Sequence, residues 1–271
     1  MSIPLEDRFE DIVGKAQRGL RIDDAALAAR AGLSTDDLRA LKANRGPRER
    51  VKSVASALRL APGALLDSYD QSWRPAEVKM EGLAQFNSEL LDMTVNAYVS
   101  FDPESRDAAV FDTGADATEL LDFVRKERLR VRRIFLTHTH QDHVAALDEI
   151  VKETGAPVSA PADEPLPHTE PVREGAQFDV GRLKVRALLT NGHSPGGTTY
   201  VIEGLAAPVA VVGDSLFAGS MGGAPNHYEQ ALRNNLEKIL ALPDNTVLCP
   251  GHGPMSTVRE ENGHNPFFAR A

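Results

Sequence analysis

The sequence predicts an α+β protein, with a small all-α N-terminal domain over residues 1–75 and a layered domain of sheets covered by helices over residues 76–271. Three observations predict it. Residues 1 to 70 space apolar side chains at the helical period and show no strand pattern. From about residue 78, short β-type runs punctuated by turn residues alternate with helical stretches, the mark of packed sheet and helix layers. The charge balance shifts at the same place. Residues 1 to 75 carry 13 Lys and Arg against 11 Asp and Glu, a net of +2, while the remainder carries 17 against 28, a net of −11.

The N-terminal helices are "DIVGKAQRGL", "DDAALAARAGL", "STDDLRALKANRG" and "ERVKSVASALRLAPGALLDSY", with Gly32, Gly46 and Pro62 as breaks. Ser34 followed three residues later by Asp37 is a capping-box-like start for the third helix, after a tight turn at Gly32. "YDQSWRPAE", 69 to 77, reads as the linker. Beyond it the strand candidates are "LDMTVNAYVSF", "AAVFDTG", "VRRIFLT", "APVSA", "LKVRALLT", "TTYVIEG", "APVAVVGD" and "NTVLCPG", with helices near 117–127, 143–154 and 227–241.

Composition excludes several classes. No run of about 18 apolar residues occurs, so no membrane partner is expected. The N-terminus "MSIPLEDRFEDIV" has acids where a secretory signal has its apolar stretch, which predicts a cytoplasmic protein. The single cysteine, Cys249, rules out an intrachain disulfide framework and thiolate metal clusters. A net of −11 repels a polyanion from the larger part of the chain, except at a bound metal.

The stretch "THTHQDH", 137 to 143, places His138, His140, Asp142 and His143 within six positions. Imidazole and carboxylate are the ligands of a borderline divalent metal such as zinc. If "VRRIFLT" is a strand running into a loop, His138 and His140 point to one side of extended backbone, and Asp142 and His143 follow as the chain turns into a helix. Three further strand candidates end in ligand-type residues: "LLTNGHSPGG" with His193, "VAVVGDSLF" with Asp214, and "VLCPGHGP" with His252. In α/β sheets, sites form at the carboxyl ends of strands, so all seven residues are candidates for one edge.

The order H-x-H-x-D-H at 138 to 143, then "GHSPG", "GDSLF" and "PGHGP", resembles the metallo-β-lactamase superfamily over essentially all of 78–271. "GDSLFAG" and the tail "CPGHGPMSTVREENGHNPF" look most like its glyoxalase II-like branch. The resemblance implies an αββα sandwich with a dinuclear site between the edges of its two sheets. By that resemblance His138, His140 and His193 hold one divalent metal, Asp142, His143 and His252 hold the other, and Asp214 bridges them. The implied ions are two zinc, with iron or manganese as alternatives. Two dications against Asp142, Asp214 and a bridging hydroxide leave the site at about +1, suited to an oxyanion. The implied chemistry is attack of that hydroxide on the carbonyl of a thioester, ester or lactone, with Asp142 and Asp214 as the catalytic carboxylates.

Departures from the family patterns narrow the expectation. Asp214 stands where cysteine-bearing lactamases place a thiolate, which argues against antibiotic hydrolysis. "AGSMGGAPNHYEQ" replaces the glycine-cysteine-glycine-arginine pattern of many glyoxalase II and persulfide dioxygenase relatives, and the chain ends soon after "HNPFF", without the helical domain that binds glutathione there. Substrate choice is therefore assigned to loops 160–180 and 218–230. A mononuclear iron oxygenase like persulfide dioxygenase is the alternative enzyme.

Residues outside the seven divide between site and scaffold. Asp112 in "VFDTG" is either a hydrogen-bond partner of a ligand histidine or a strand-end turn. His227 and Tyr228 are either substrate contacts or a helix start. His168 and His264 read as surface or packing residues, and Cys249 as core. Residues 20–66 resemble the Cro/repressor-type helix-turn-helix, with Leu27, Ala28, Gly32, Leu33 and Leu38 at its core positions. The resemblance presents Thr35, Asp36 and Arg39 to DNA bases and allows a DNA-binding regulator whose larger part senses a metabolite. The other reading is a helical domain repurposed for dimerisation or for covering the active-site edge. The expected partners are a small-molecule substrate and a second copy of the chain in a homo-oligomer.

Overall fold

The computed structural model describes residues 3–91 and 93–269. Among the described residues five α-helices come first: α1 (Phe9–Leu20), α2 (Asp24–Ala31), α3 (Thr35–Lys42), α4 (Val51–Leu58) and α5 (Pro62–Asp70), with a 3-10 turn at Arg48–Arg50. Pro62 opens α5 at its first turn, where a missing N–H is harmless, and so splits the long helical pattern in two. The Ser34–Asp37 capping box forms: Ser34 Oγ accepts from Asp37 N at 3.0 Å, and Asp37 accepts from Ser34 N at 3.4 Å. Leu27, Ala28 and Leu38 are buried in one core with Phe9, Ile12, Val54 and Leu58.

The rest of the chain builds two sheets. β1 (Leu83–Leu90), β2 (Met93–Phe101), β3 (Asp107–Phe111), α6 (Thr118–Lys126), β4 (Arg130–Phe135), α7 (Gln141–Val144), α8 (Leu147–Thr154), β5 (Val158–Pro161) and β6 (Thr169–Val172) make the first half. β7 (Gln177–Val180), β8 (Leu183–Leu189), β9 (Thr198–Glu203), β10 (Val209–Gly213), α9 (Tyr228–Asn234), β11 (Val247–Pro250), β12 (Ser256–Thr257) and α10 (Val258–His264) make the second. The six-stranded sheets run β1-β2-β3-β4-β5-β6 and β12-β11-β10-β9-β8-β7.

Alternation along the strands sets the layers. In β10, Val209 and Val211 face the core between the sheets, while Ala210 and Val212 face α9 and α10. In β3, Ala109 and Phe111 face the same inner core, while Ala108 and Val110 face α6 and α8. Phe111 and Phe135 stack at 5.2 Å, and Tyr200 from the opposite sheet meets Phe135 at 4.8 Å, so aromatic rings join the sheets beneath the site. The result is the expected αββα sandwich with an N-terminal helical region.

Several expected elements differ. The strand expected from Leu91 starts at Met93; Asp92 lies outside the described residues. The helix expected over 143–154 is two helices, α7 and α8, because the chain turns between them at Ala145–Ala146. The helix expected over 227–241 is α9 followed by a π-helical turn at Asn235–Ile239. The strands β1, β6, β7 and β12 and the helix α10 were not expected. Among the described residues no helix is long and apolar enough to cross a membrane.

Candidate metal centre

The loops after β4, β8, β10 and β11 bring all seven sequence candidates together. Three overlapping groups have ligand atoms within 4.8 Å of one another: His138, His140 and His193; His138, His143 and Asp214; and Asp142, His143 and His252. The first and third have the same members as the two sets that the family resemblance implies. Asp214 stands between them, with Oδ1 3.4 Å from His143 Nε2 and Oδ2 3.4 Å from His193 Nε2 and 3.5 Å from His252 Nε2. Asp142 Oδ2 lies 3.2 Å from His252 Nε2.

Four of the five imidazoles are oriented the same way. Each donates Nδ1–H to a fixed acceptor and turns Nε2 inward: His143 to Asp112 Oδ2 at 2.9 Å, His252 to Thr94 O at 2.8 Å, His193 to Gly223 O at 3.0 Å and His138 to Thr137 Oγ1 at 3.0 Å. The hydroxyl of Thr137 in turn donates to Asp112 Oδ2 at 2.7 Å, and Thr137 N donates to Asp112 Oδ1 at 2.7 Å. Such outer hydrogen bonds fix a histidine's tautomer and aim its free lone pair at a cation. Both readings of Asp112 hold in one residue: it turns the chain after β3 at φ 53° and orients His143.

Divalent cations fit this donor set. His138 Nε2, His143 Nε2 and Asp214 Oδ1 are buried with no hydrogen-bond partner, a costly arrangement that a cation resolves. Gly251 leaves room at the same point: a Cβ there would lie 2.2 Å from Asp214 Oδ1 and 2.6 Å from His143 Cε1.

In the metal-free site, protons on two of the imidazoles balance the carboxylates instead. Burial, reinforced by the charge of His143, drives His138 well below the ordinary histidine range, so its imidazole is neutral. Burial alone would also lower His143 and His252, but the carboxylates facing them prevail. Asp112 and Asp214 raise His143 to about 10, and Asp142 and Asp214 raise His252 to about 11. Burial pushes Asp214 up, and His143 with His252 more than offsets it, so its carboxylate stays charged.

Both raised histidine values exceed the ordinary 6.5. Their contribution to the stability of the metal-free fold is complete below about 6.5 and is lost as pH rises through the folded values. A cation must displace these protons, so metal affinity rises with pH. Uptake at pH 7.5 is expected to release about two protons per protein, read with an indicator dye in weak buffer. Asp112→Asn, which sets an amide against donors, is expected to weaken metal affinity about 10–100-fold in a chelator competition titration.

Sequence reasoning missed the braces of these loops. Asn96 on β2 donates Nδ2 to Pro250 O and Gly253 O, both at 2.8 Å, holding the turn that carries His252. Glu164 accepts from Thr139 N at 3.0 Å and Gly196 N at 3.1 Å, tying the His138–His140 loop to the His193 loop. Tyr228 is not at the site: it is buried, with its ring against Gly19 of α1, while His227 is exposed at the start of α9. His168 is exposed, and His264 stacks on Trp73 at 5.0 Å. Cys249 is buried between the sheets, where burial raises its thiol pKa far above the usual value.

Comparison with known proteins follows the same lines. The family description "Metallo-beta-lactamase superfamily" matches residues 92–252. The chain is 29% identical over 185 residues to the probable metallo-hydrolase YqgX of Bacillus subtilis (strain 168), covering 59% of this chain and 86% of that protein. It is 31% identical over 172 residues to the hydroxyacylglutathione hydrolase of Pseudomonas entomophila (strain L48), covering 63% of each. Among solved structures it is similar to the di-iron-bound form of TTHA1623, at 29% identity and a TM-score of 0.54, covering 67% of this chain and 99% of that one.

Proposed function

Because the chain belongs to the metallo-β-lactamase superfamily, we propose that it is a dinuclear metal hydrolase acting on a thioester, ester or lactone. The observation that carries the reading is the convergence of seven ligand-type side chains in overlapping groups, with His138 Nε2, His143 Nε2 and Asp214 Oδ1 buried and unpartnered among them. His138, His140 and His193 would hold one ion and Asp142, His143 and His252 the second, with Asp214 between the two sets. Divalent ions bound there, zinc first with iron or manganese as alternatives, would supply hydroxide near neutral pH and a Lewis acid for the carbonyl oxygen.

The chain's own groups do the positioning. Asp142, beside His252, orients the attacking water and accepts its hydrogen bond. Asp112 and Thr137 keep the imidazoles in the ligand tautomer. His140 is exposed and His193 partly so, while the other five candidates are buried, so substrate approaches over the His140–His193 side. Cys249, enclosed in the core, is no nucleophile.

The hydroxyacylglutathione hydrolase relative favours a thioester, while "AGSMGGAPNHYEQ" after "GDSLF" favours a carrier other than glutathione. A single ion among His138, His143 and Asp214 would partner the same three atoms, so the metal count is what separates the mononuclear iron oxygenase from the two-ion reading. A DNA-binding role is disfavoured by the exposed face of α3, where Arg39 is paired with Asp36 at 2.6 Å and Asp37 adds a further carboxylate facing phosphates. The test is a panel of thioesters, lactones and esters with the metal-loaded protein. Hydrolysis lost on chelation and restored by a divalent ion supports the reading. Inactivity across the panel with both ions bound, or persulfide-dependent oxygen uptake instead, contradicts it.

A further inference from the structure

The N-terminal helices reach the metal centre from outside the family-matched span of 92–252. Lys15 on α1 is largely buried, with its side chain 14% exposed, and it spends its ammonium on the loop after Asp214. Nζ donates to Met221 O at 2.9 Å, pairs with the buried carboxylate of Asp7, and sits 4.7 Å over the ring of Phe217. Asp7 also accepts from Ser220 Oγ at 2.5 Å. One ion pair from the helical region therefore grips residues 217, 220 and 221.

The next two residues touch the metal centre itself. Gly222 packs so tightly that a Cβ would lie 1.8 Å from Asp214 O and 3.1 Å from His193 Nδ1. Gly223 O is the acceptor that orients His193. Phe217, under the Lys15 ammonium, meets the His252 ring edge-on at 5.7 Å. Gly222 leaves no room beside Asp214, so whatever fixes the Met221 carbonyl bears directly on the backbone packed against Asp214 and the ring of His193. The opposite side of the loop is held by α10 and the residue after it, through Glu261 accepting from Gly219 N at 3.0 Å and Asn265 Nδ2 donating to Ser220 O at 2.8 Å.

We propose that Lys15, with Asp7, is a positioning residue of the metal centre, so that the N-terminal helical region is a working part of the hydrolase rather than an appended module. This rests on the two-ion reading above. The ion pair is mostly removed from water, so it holds one geometry, and its loss frees the loop that sets Asp214 and His193. Mutual orientation of ligands is what outer contacts supply to a metal site, and their loss weakens affinity by about 10–100-fold.

The experiment compares wild type, Lys15→Met, Asp7→Asn and Val54→Ala. Val54→Ala trims the same helical core without entering the grip on the loop. Zinc affinity is read by chelator competition, and the cobalt-substituted proteins by their visible ligand-field bands. Lys15→Met is expected to weaken one of two zinc sites about 10–100-fold and to shift the cobalt bands. Asp7→Asn, which keeps the shape, is expected to do the same to a smaller degree and serves alone if Lys15→Met does not fold. Val54→Ala is expected to lower the melting temperature while leaving affinity and bands as in wild type. Wild-type affinity and bands in Lys15→Met or Asp7→Asn overturn the proposal, as does an equal loss in Val54→Ala. A wild-type protein that binds no divalent ion instead overturns the two-ion reading beneath it.

Discussion

Asp214→Ala is expected to empty the metal centre and to lower turnover by at least about a thousandfold, some 4 kcal/mol of transition-state stabilisation. Among the described residues its carboxylate is the one that approaches His143, His193 and His252 together, at 3.4, 3.4 and 3.5 Å. Removing it takes a negative charge and a ligand from both sets at once. It also leaves His143 and His252 with one fewer carboxylate, so their raised pKa values fall back toward the ordinary 6.5. Metal content by mass spectrometry and the rate on the best substrate of the panel check the effect together. Two retained equivalents of metal in Asp214→Ala would remove this residue from the bridging position.

Gly251→Ala is expected to be nearly as severe, although it adds only a methyl group on the far side of a turn. That methyl would stand 2.2 Å from Asp214 Oδ1, 2.6 Å from His143 Cε1 and 3.2 Å from His143 Nε2, inside the space where the donors converge. Relief is closed off on the other side. Gly251 O accepts from Asn96 N at 2.8 Å and Gly251 N donates to Gly213 O at 3.0 Å, so the turn is tied to both sheets. Either the turn tears from β2 and β10 or the carboxylate and imidazole move apart. Overpacking of this kind destabilises by about 1–3 kcal/mol, and the expected loss of metal affinity exceeds 100-fold because both ligand sets share the displaced atoms. Calorimetric titration with zinc and a urea melt of the metal-free protein separate the two effects. Affinity near wild type would mean the turn gives way more easily than its hydrogen bonds imply.

The way the two predictions differ shows what a sequence discloses. Asp214 is visible because its chemistry is carried by the side chain and its place follows an apolar strand run. Gly251 looks like any turn glycine; only the approach of Asp214 and His143 makes it special. The braces are hidden for a related reason. Asn96 and Lys15 act on backbone carbonyls 154 and 206 positions away, and a carbonyl leaves no mark in the sequence. Asp112 lies between these cases: the residue type and strand-end position showed, and the choice between turn and histidine partner needed the fold.

The same contrast runs through the strands. The runs recognised as β were β2 to β5 and β8 to β11, which have a neighbour on both sides and, β4 apart, bury at least one face over most of their length. The four that went unread, β1, β6, β7 and β12, are the edges of the two sheets. "LAQFNSEL" mixes polar residues into a half-buried strand, "TEPV" carries a proline tolerable only at an edge, and "ST" is two residues long. Edge strands answer to solvent as well as to the core, and their apolar signal weakens accordingly. Helix α10, "VREENGH", is likewise short and polar, and its buried Glu261 serves the loop after Asp214 rather than an apolar face.

The most direct test of the two-ion centre is anomalous diffraction from crystals of the purified protein. The expected result is two peaks about 3.5–4 Å apart. One would lie among His138, His140 and His193, the other among Asp142, His143 and His252, with Asp214 reaching both. A single peak among His138, His140 and His193, or no peak in protein supplied with zinc, iron and manganese, would contradict it.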